Sequence, residues 1–347
     1  DDQLRHPIFL RLRNDKPASA VTMNANKPET QKQVMSSVKS KKRQAPKKKL
    51  AAEKAREEEF LEVGRSKVRV TNLDKVFWPG EGITKGDVIN YYLSVGKYIL
   101  PYLKDRPQSL RRNPNGIKDA GFFQKDAGEE APSYVKSEPI YSGGAKKTID
   151  YIVCNNLATL VYMNNLGCIE INPWHSTIRN QEKPDYLIID IDPSKNNTFD
   201  EVIEAANVTR AILEKAGAPS FCKTSGASGL HVYVPMGRKY GYEQVKDFAH
   251  LICSLVCGEL PKTTTLIRNL KKRGNKRIYM DYLQNRKGQT ISSVYSLRPK
   301  EGATVSMPLR WKEVKPGMRP ADFNIHNALE RIKKTGDIFK GVLGKGV

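Results

Sequence analysis

The stretch Tyr186-Leu187-Ile188-Ile189-Asp190-Ile191-Asp192 places two carboxylates at the end of an apolar run. A short apolar run with β-branched residues predicts a buried β-strand. Side chains two residues apart on a strand point to the same face, so Asp190 and Asp192 are expected to converge. A carboxylate within an apolar strand is costly to bury unless a cation or another partner neutralises it. The stretch therefore predicts a strand that carries a pair of acids with a chemical role.

A third carboxylate, Asp281, lies in a second apolar segment. Alone, an Asp-x-Asp pair is more often a solvated strand end, but a further buried acid favours a shared site. Between the two segments, residues 223–234 have the pattern of strand, Gly-rich turn and strand, with Ser225 and Gly226 in the turn and His231 after it. Three converging carboxylates can hold two divalent cations, and a Ser/Gly turn beside a histidine suits a triphosphate. These groups are the equipment of a nucleotidyl-transferring polymerase.

The charge of the chain favours a polyanionic partner. Its 347 residues include 59 Lys and Arg against 37 Asp and Glu, which gives a formal net charge of +22. Neutralising phosphates releases counterions, so nucleic acid is the favoured partner. No apolar run approaches the roughly 20 residues of a membrane-spanning helix. Five cysteines without a C-x-x-C pair indicate a reducing compartment, and His250, Cys253 and Cys257 fit no common zinc spacing.

Composition divides the chain into three parts. Residues 1–20 contain a short apolar pattern, and residues 21–60 are polar and basic, with too few apolar residues to offset chain entropy. We predict a flexible basic linker over that second stretch and a globular domain over residues 61–347. The chain begins at Asp1 rather than Met, so we expect it to be a piece of a longer protein.

Helix signals within the globular part are clear in two places. Residues 87–103 repeat apolar side chains every three or four positions. Thr198 and Glu201 form a capping box that opens a second helix, and Gly217 closes it. Strands and helices alternate irregularly, with hairpins between strands. We therefore predict an α+β domain with mixed or antiparallel sheets flanked by helices.

Four motifs occur in a specific order, and together they carry a family resemblance. They are Asp190-x-Asp192, the turn at 223–233, the run 281–285 (Asp-Tyr-Leu-Gln-Asn) and the run 295–298 (Tyr-Ser-Leu-Arg). From about residue 67 onward the chain resembles the polymerase domain of bacterial DNA ligase D. The resemblance implies the archaeo-eukaryotic primase fold and a template-dependent DNA/RNA polymerase that adds nucleotides to 3′ ends and fills gaps in non-homologous end joining. Residues 1–20 are similar to the end of that family's ATP-dependent ligase domain.

The resemblance also implies roles for individual residues. Asp190, Asp192 and Asp281 are expected to be catalytic and to bind two Mn²⁺ or Mg²⁺ ions. The incoming NTP or dNTP is expected to lie against the backbone amides of the Gly-rich turn, with His231 and Arg298 neutralising its charge. The full set of expected nucleotide contacts is Ser225, Gly226, His231, Arg298, Lys300 and Asn172. Two of these depart from the family pattern, since Asn172 stands where a histidine is usual and Lys300 where a second arginine is frequent.

A second set of residues matches the DNA contacts of the family. Asn72, Lys75 and Lys85 match its pocket for the 5′-phosphate on the far side of a gap, although most lysines are simply solvated. Phe122 and Phe123 match the template-contacting segment, with core packing as the alternative for one ring, and the backbone contacts would come from Arg111 and Arg112. The partners implied are DNA with 5′-phosphorylated gaps, nucleoside triphosphates, Ku and a ligase domain of the same chain, in the bacterial cytoplasm at the nucleoid and away from membranes.

Two other functions remain open from the sequence. A replicative-type primase shares the three carboxylates, but such an enzyme carries a zinc-binding Cys/His set that this sequence lacks. A catalytically weak module that binds and bridges DNA ends is the second alternative, and Asn172 is the feature that favours it. The presence of all three acids favours an active enzyme.

Overall fold

The computed structural model of the chain describes residues 59–347. The predicted ligase tail and residues 21–58 of the predicted linker lie outside the described residues, so the division into three parts stays a prediction. Within residues 59–347, no helix combines the length and the apolar character that crossing a membrane requires. The five cysteines, all of which fall in this range, are free thiols.

Strands and helices alternate along the described residues, with six helices and fifteen strands. The helices are α1 (Lys85–Leu103), α2 (Leu157–Asn165), α3 (Phe199–Lys215), α4 (Tyr242–Glu259), α5 (Leu270–Arg273) and α6 (Ala328–Thr335). The strands are β1 (Glu59–Val63), β2 (Ser66–Val70), β3 (Val76–Trp78), β4 (Ile83–Thr84), β5 (Gln108–Arg112), β6 (Phe122–Gln124), β7 (Lys136–Ser142), β8 (Lys147–Val153), β9 (Cys168–Pro173), β10 (Tyr186–Asp192), β11 (Phe221–Thr224), β12 (Leu230–Pro235), β13 (Thr264–Thr265), β14 (Ile278–Asp281) and β15 (Pro308–Leu309).

The central sheet has six strands in the order β13-β14-β10-β12-β11-β15. All neighbouring pairs in it are antiparallel except β13 and β14, which are parallel. A second sheet has the order β6-β5-β9, and the remaining strands form the hairpins β1-β2, β3-β4 and β7-β8. The predicted α+β class with mixed and antiparallel sheets is confirmed.

The two faces of β10 belong to different apolar cores. Leu187, Ile189 and Ile191 pack with buried side chains of α3 and α4. Ile188 packs on the other side, in the core that contains α1 and the three-stranded sheet. Because side chains alternate along a strand, Asp190 shares the face of Ile188. The acids therefore lie on the side of the central sheet that faces the second sheet.

Both predicted helices are present, and their ends follow the sequence signals. The segment predicted over 87–103 is α1, which begins two residues earlier and contains Pro101 in its last turn. Thr198 caps α3 in a reciprocal capping box with Glu201, and Gly217 follows the helix with φ of +68°. A left-handed residue after the last turn is the usual end of such a helix. These caps fix the loops that enter and leave the central sheet.

Candidate active site

Four polar side chains form one row across the central sheet. In the strand register, Asp190 of β10 lies opposite Asp281 of β14 on one side and opposite His231 of β12 on the other. His231 in turn lies opposite Lys223 of β11. Directly opposed residues project from the same face of a sheet, and Asp192 follows on that face two residues after Asp190. The predicted convergence of the three acids is thus a consequence of strand pairing.

Asp190 and Asp192 each face a basic side chain. Nε2 of His231 lies 3.4 Å from Oδ1 of Asp190, and Nη2 of Arg273 lies 3.4 Å from Oδ2 of Asp192. The side chain of Asp190 is 18% exposed and that of Asp192 is 46% exposed. Arg273 ends the short helix α5 and is itself buried. Asp192 is therefore the more open of the two acids, and Arg273 holds a place beside it that a cation could take.

Asp281 is held by two donors from its own segment. Its Oδ1 accepts hydrogen bonds from the Tyr279 hydroxyl at 3.1 Å and from the Leu283 amide at 2.8 Å. Burial raises the pKa of Asp281, and these two hydrogen bonds oppose the shift. Burial also raises the pKa of Asp190 to about 8, and the charges of Asp192 and Asp281 add to the shift. The three acids therefore repel one another, and a cation between them would relieve this repulsion.

The chemistry of the three acids fits divalent cations. Among residues 59–347, no group of three or more His, Cys, Asp or Glu side chains is arranged as a ready metal-ion site, which agrees with each acid being turned toward its own partner. The donor set nevertheless consists of carboxylate oxygens, which suit Mg²⁺ and Mn²⁺. Asp190 and Asp281 lie directly opposite each other on neighbouring strands, and two negative charges in this arrangement are unfavourable without a cation.

The Gly-rich turn between β11 and β12 is closed by its own hydrogen bonds. The Ser225 amide donates to the Gly229 carbonyl at 2.9 Å, and Oγ of Ser225 accepts from the amides of Ala227 and Gly229, both at 3.0 Å. These two amides are engaged, so the expectation that the whole turn cradles a phosphate is too broad. Gly226 has φ of +71°, and a Cβ on Gly229 would lie 2.2 Å from the carbonyl oxygen of Ile191. The turn therefore requires glycine at both positions.

A cavity of about 230 Å³ joins this turn to Asp190 and Asp192. Nε of Arg298 donates to Oε2 of Glu170 at 2.8 Å, and Nη1 of Arg298 donates to the Ser225 carbonyl. Asn172 is buried beside them, and its amide donates to the Glu170 carbonyl at 3.4 Å. Of the predicted nucleotide contacts, four line this cavity and two line an adjoining groove: Ser225, His231, Arg298 and Asn172 in the cavity, Gly226 and Lys300 in the groove.

His231 is placed to act as a neutral hydrogen-bond donor. It is 2% exposed. Burial, followed by the charges of Lys223 and Arg298, lowers its pKa well below the usual range. We expected both His231 and Arg298 to neutralise the triphosphate. Because His231 is neutral, Arg298 would supply the positive charge, and His231 can offer an N–H group.

The three residues predicted to bind a 5′-phosphate line one pocket of about 410 Å³ at the start of α1: Asn72, Lys75 and Lys85. Thr84 caps this helix in a capping box with Asp87. Lys75 is exposed, and its Nζ donates to Oδ1 of Asn115 at 2.6 Å. The first three amides of this helix are already hydrogen-bonded, so an anion in the pocket would be bound mainly by side chains. The fold thus brings the three predicted phosphate contacts into one pocket.

Lys85 is not an ordinary surface lysine. It is 4% exposed, and its Nζ donates to the Thr71 carbonyl at 2.6 Å and to Oδ1 of Asn165 at 2.7 Å. Burial, followed by the charges of Lys75 and Arg112, lowers its pKa to about 8. The solvated alternative is therefore wrong for Lys85.

Phe122 and Phe123 are exposed next to each other on β6. Their exposed fractions are 47% and 56%, which excludes core packing for either ring. Arg112 and Arg111 lie opposite them on β5, and each guanidinium is centred 5.2 Å from the ring it faces. Phe123 also lines the cavity of the acids. Successive side chains on a strand point to opposite faces, so these are two separate basic and aromatic pairs, and the pair of Phe123 and Arg111 is the one beside the candidate active site.

Comparison with known proteins decides the family. The family described as LigD, primase-polymerase domain, matches residues 84–339. The chain belongs to this family. In structure it is similar to the "Polymerase Domain from Mycobacterium tuberculosis Ligase D in complex with DNA", with a TM-score of 0.74 and 24% identity over 81% of this chain and 99% of that chain. The expected primase-like fold is thereby confirmed.

The relatives of this LigD primase-polymerase domain are longer proteins. It is 35% identical over 271 residues to the bifunctional non-homologous end joining protein LigD of Bacillus subtilis, which covers 78% of this chain and 43% of that protein. The multifunctional LigD of Pseudomonas aeruginosa is 28% identical over 330 residues, 95% of this chain and 37% of its own. The chain thus spans about two fifths of these relatives' length.

Three residues around the candidate active site were not singled out from the sequence. Lys223 lies within the Gly-rich motif but looks like any strand residue there, Glu170 orients Arg298, and Arg273 lies in a basic run that reads as solvated surface. Strand register is the signal that would have found Lys223, since it lies opposite His231. The other two depend on contacts across the fold at sequence separations of 128 and 81 residues, which no local pattern reveals.

Proposed function

We propose that this chain is a template-dependent DNA/RNA polymerase that adds nucleotides to 3′ ends and fills gaps during non-homologous end joining. The observation that carries the proposal is the row in which Asp281, Asp190 and His231 lie side by side next to the Gly-rich turn. The family supports the same activity, since it is that of the LigD primase-polymerase domain. A nucleotidyltransferase needs acids, phosphate contacts and a path for DNA, and each has a counterpart here.

The acids would hold two divalent cations, Mn²⁺ or Mg²⁺, through Asp190, Asp192 and Asp281. When bound, such ions lower the pKa of a 3′-hydroxyl and stabilise negative charge on phosphate oxygens. Asp281 is oriented for this role by its bonds to Tyr279 and Leu283. Asp192 would have to leave Arg273 to contribute, which its 46% exposure allows.

The chain's own residues would bind the incoming triphosphate. Arg298 is fixed by Glu170 and by the Ser225 carbonyl, so its remaining donors can meet phosphate oxygens without further ordering. His231 would donate an N–H from the floor of the same cavity. Lys300 and Gly226, in the adjoining groove, would contact the outer phosphates. Lys300 would act as a point charge, whereas an arginine at this position would donate two parallel hydrogen bonds to one phosphate.

The template and the far side of the gap would use the second set of residues. Lys85, Lys75 and Asn72 would bind the 5′-phosphate, and the buried ammonium of Lys85 would contribute most. Phe122 and Phe123 would stack on unpaired template bases, and their arginine neighbours would contact the backbone. A pocket for a terminal phosphate favours gap filling over priming, because a priming enzyme has no use for it.

We also propose the organisation that the sequence predicts. Residues 1–20 would be the end of an ATP-dependent ligase domain, residues 21–60 a basic linker, and residues 61–347 the polymerase. The partners would be the ligase domain of the same chain, DNA ends and Ku, with the protein acting at the bacterial nucleoid in the cytoplasm.

A gap-filling assay tests the proposal. The full chain is given a 5′-phosphorylated gapped duplex with Mn²⁺ or Mg²⁺ and either NTPs or dNTPs, and template-directed extension of the primer is expected. Tight binding of the gapped DNA without extension by any nucleotide would refute the enzyme and leave the end-binding module. Extension that does not depend on the gap's 5′-phosphate would favour the primase alternative.

A further inference from the structure

Lys223 is a lysine without solvent contact at the inner end of the polar row. Its exposed fraction is 0%. Three polar atoms surround its Nζ: Nδ1 of His231 at 2.8 Å, the Ser292 carbonyl at 3.0 Å and Oγ of Ser306 at 2.5 Å. An ammonium group has three N–H donors and no acceptor, so these three atoms can take all of its hydrogen bonds.

The direction of two of these bonds is fixed independently of the histidine. The Ser292 carbonyl can only accept. Oγ of Ser306 gives its own hydrogen to the Thr224 carbonyl at 2.8 Å, so toward Lys223 it accepts. With Lys223 in its ammonium form, the third N–H points to Nδ1 of His231, and that nitrogen is then the one without a hydrogen.

The other ring nitrogen faces the acids. Nε2 of His231 lies 3.4 Å from Oδ1 of Asp190. A neutral imidazole that accepts at Nδ1 carries its hydrogen on Nε2, so the ring offers a donor to the cavity. Burial, followed by the charge of Arg298, lowers the pKa of Lys223 well below its usual range, while Asp190 opposes the shift. The Ser292 carbonyl and Oγ of Ser306 favour the charged form, because both accept hydrogen bonds from Nζ.

We propose that Lys223 is a positioning residue for nucleotide addition, which holds Nδ1 of His231 and fixes the tautomer whose Nε2–H reaches Asp190 and the phosphates of an incoming nucleoside triphosphate. The kinetic consequence rests on the proposed polymerase function, whereas the tautomer does not. Burying an ammonium is unfavourable compared with an apolar side chain of similar length. The proposed role that offsets this cost is to fix the tautomer of the His231 imidazole.

The first experiment reads the tautomer by NMR of the full chain labelled with ¹⁵N-histidine. The chain has five histidines, and the His231 signals are identified by their loss in His231→Gln. The wild type is expected to carry the hydrogen of His231 on Nε2 alone. In Lys223→Met the hydrogen should no longer be confined to Nε2. The control Tyr233→Phe, which alters a ring centred 5.7 Å from Nζ of Lys223 and leaves the ammonium in place, should keep the hydrogen on Nε2.

The second experiment asks whether Lys223 acts through His231. Lys223→Met should lower kcat for nucleotide addition by roughly 100-fold, the cost of losing one oriented donor, with the affinity for gapped DNA unchanged. His231→Gln combined with Lys223→Met should be no slower than His231→Gln alone. Losses that multiply in the double variant would show that Lys223 supports only the fold and would overturn the proposal.

The two readouts separate the possible failures. A hydrogen on Nδ1 of His231 in the wild type, or a Lys223→Met spectrum identical to that of the wild type, overturns the proposal. If Lys223→Met does not fold, the wild-type tautomer alone decides it. If the wild type adds no nucleotide, the proposed function fails, but the NMR result still tests the role of Lys223.

Discussion

Replacing Lys85 with Met removes the most buried cation of the pocket at the start of α1 and keeps a side chain of similar length. Lys85 is 4% exposed, and its Nζ lies within 2.7 Å of the Thr71 carbonyl and of Oδ1 of Asn165, so a 5′-phosphate would meet it largely without intervening water. A hydrogen bond to a charged group contributes about 1.5–3 kcal/mol, and about 1.4 kcal/mol corresponds to tenfold in affinity. We therefore expect the preference for a 5′-phosphate over a 5′-hydroxyl at the gap to fall roughly 10- to 100-fold.

The assay is fluorescence anisotropy with gapped duplexes that differ only in the 5′ group, at fixed salt. Lys97→Met is the matched control, since it removes the same charge from an exposed site further along α1. Lys75→Met is expected to have a smaller effect than Lys85→Met, because exposed charges are screened by solvent. Equal losses of preference in Lys85→Met and Lys97→Met would refute the reasoning, because the effect would then be one of net charge.

Three further results are expected. The pKa of Lys85 is lowered to about 8, so its ammonium is present below that pH and lost above it. The preference for a 5′-phosphate should therefore decline as the pH rises through about 8, and a preference that stays constant up to about pH 9.5 would contradict this. Phe122→Ala and Phe123→Ala should each weaken binding of gapped DNA by about 1–3 kcal/mol at unchanged Tm, because both rings are exposed; a lowered Tm would indicate packing. Gly229→Ala should lower the free energy of unfolding by about 1–3 kcal/mol, because its Cβ would lie 2.2 Å from the Ile191 carbonyl oxygen. Gly258→Ala, in open space on α4, should leave the free energy of unfolding unlowered, and a denaturant titration of both variants makes the comparison.

The sequence predicted the strand and helix elements that have strong local signals. The apolar run at 186–189 gave β10, and the capping box at Thr198 gave the start of α3. It did not predict the order of the six central strands. That order depends on which strands pair, and β14 joins β10 across about 90 residues of sequence, a choice that tertiary packing makes and that no local pattern encodes.

The site was predicted as a set of residues and not as a set of bonds. Asp190, Asp192 and Asp281 were singled out as candidates because acids within apolar strands are unusual. Their partners were missed, since Arg273 and Lys223 resemble an exposed basic residue and an ordinary strand residue in sequence. The engaged amides of the Gly-rich turn were missed for a related reason: a Ser/Gly pattern predicts a turn but not the direction in which its N–H groups point.

The central claim is that Asp190, Asp192 and Asp281 form one metal-dependent site for nucleotide addition. Its most direct test is the single-turnover rate of addition at a 5′-phosphorylated gap by the full chain with Asp190→Asn, beside Asp247→Asn, an acid on α4 that is 75% exposed. We expect Asp190→Asn to slow addition on the order of 10³-fold or more, since a metal contributes several kcal/mol, at unchanged affinity for gapped DNA, and Asp247→Asn to keep the wild-type rate. A wild-type rate in Asp190→Asn, or an equal loss in both variants, would contradict the claim.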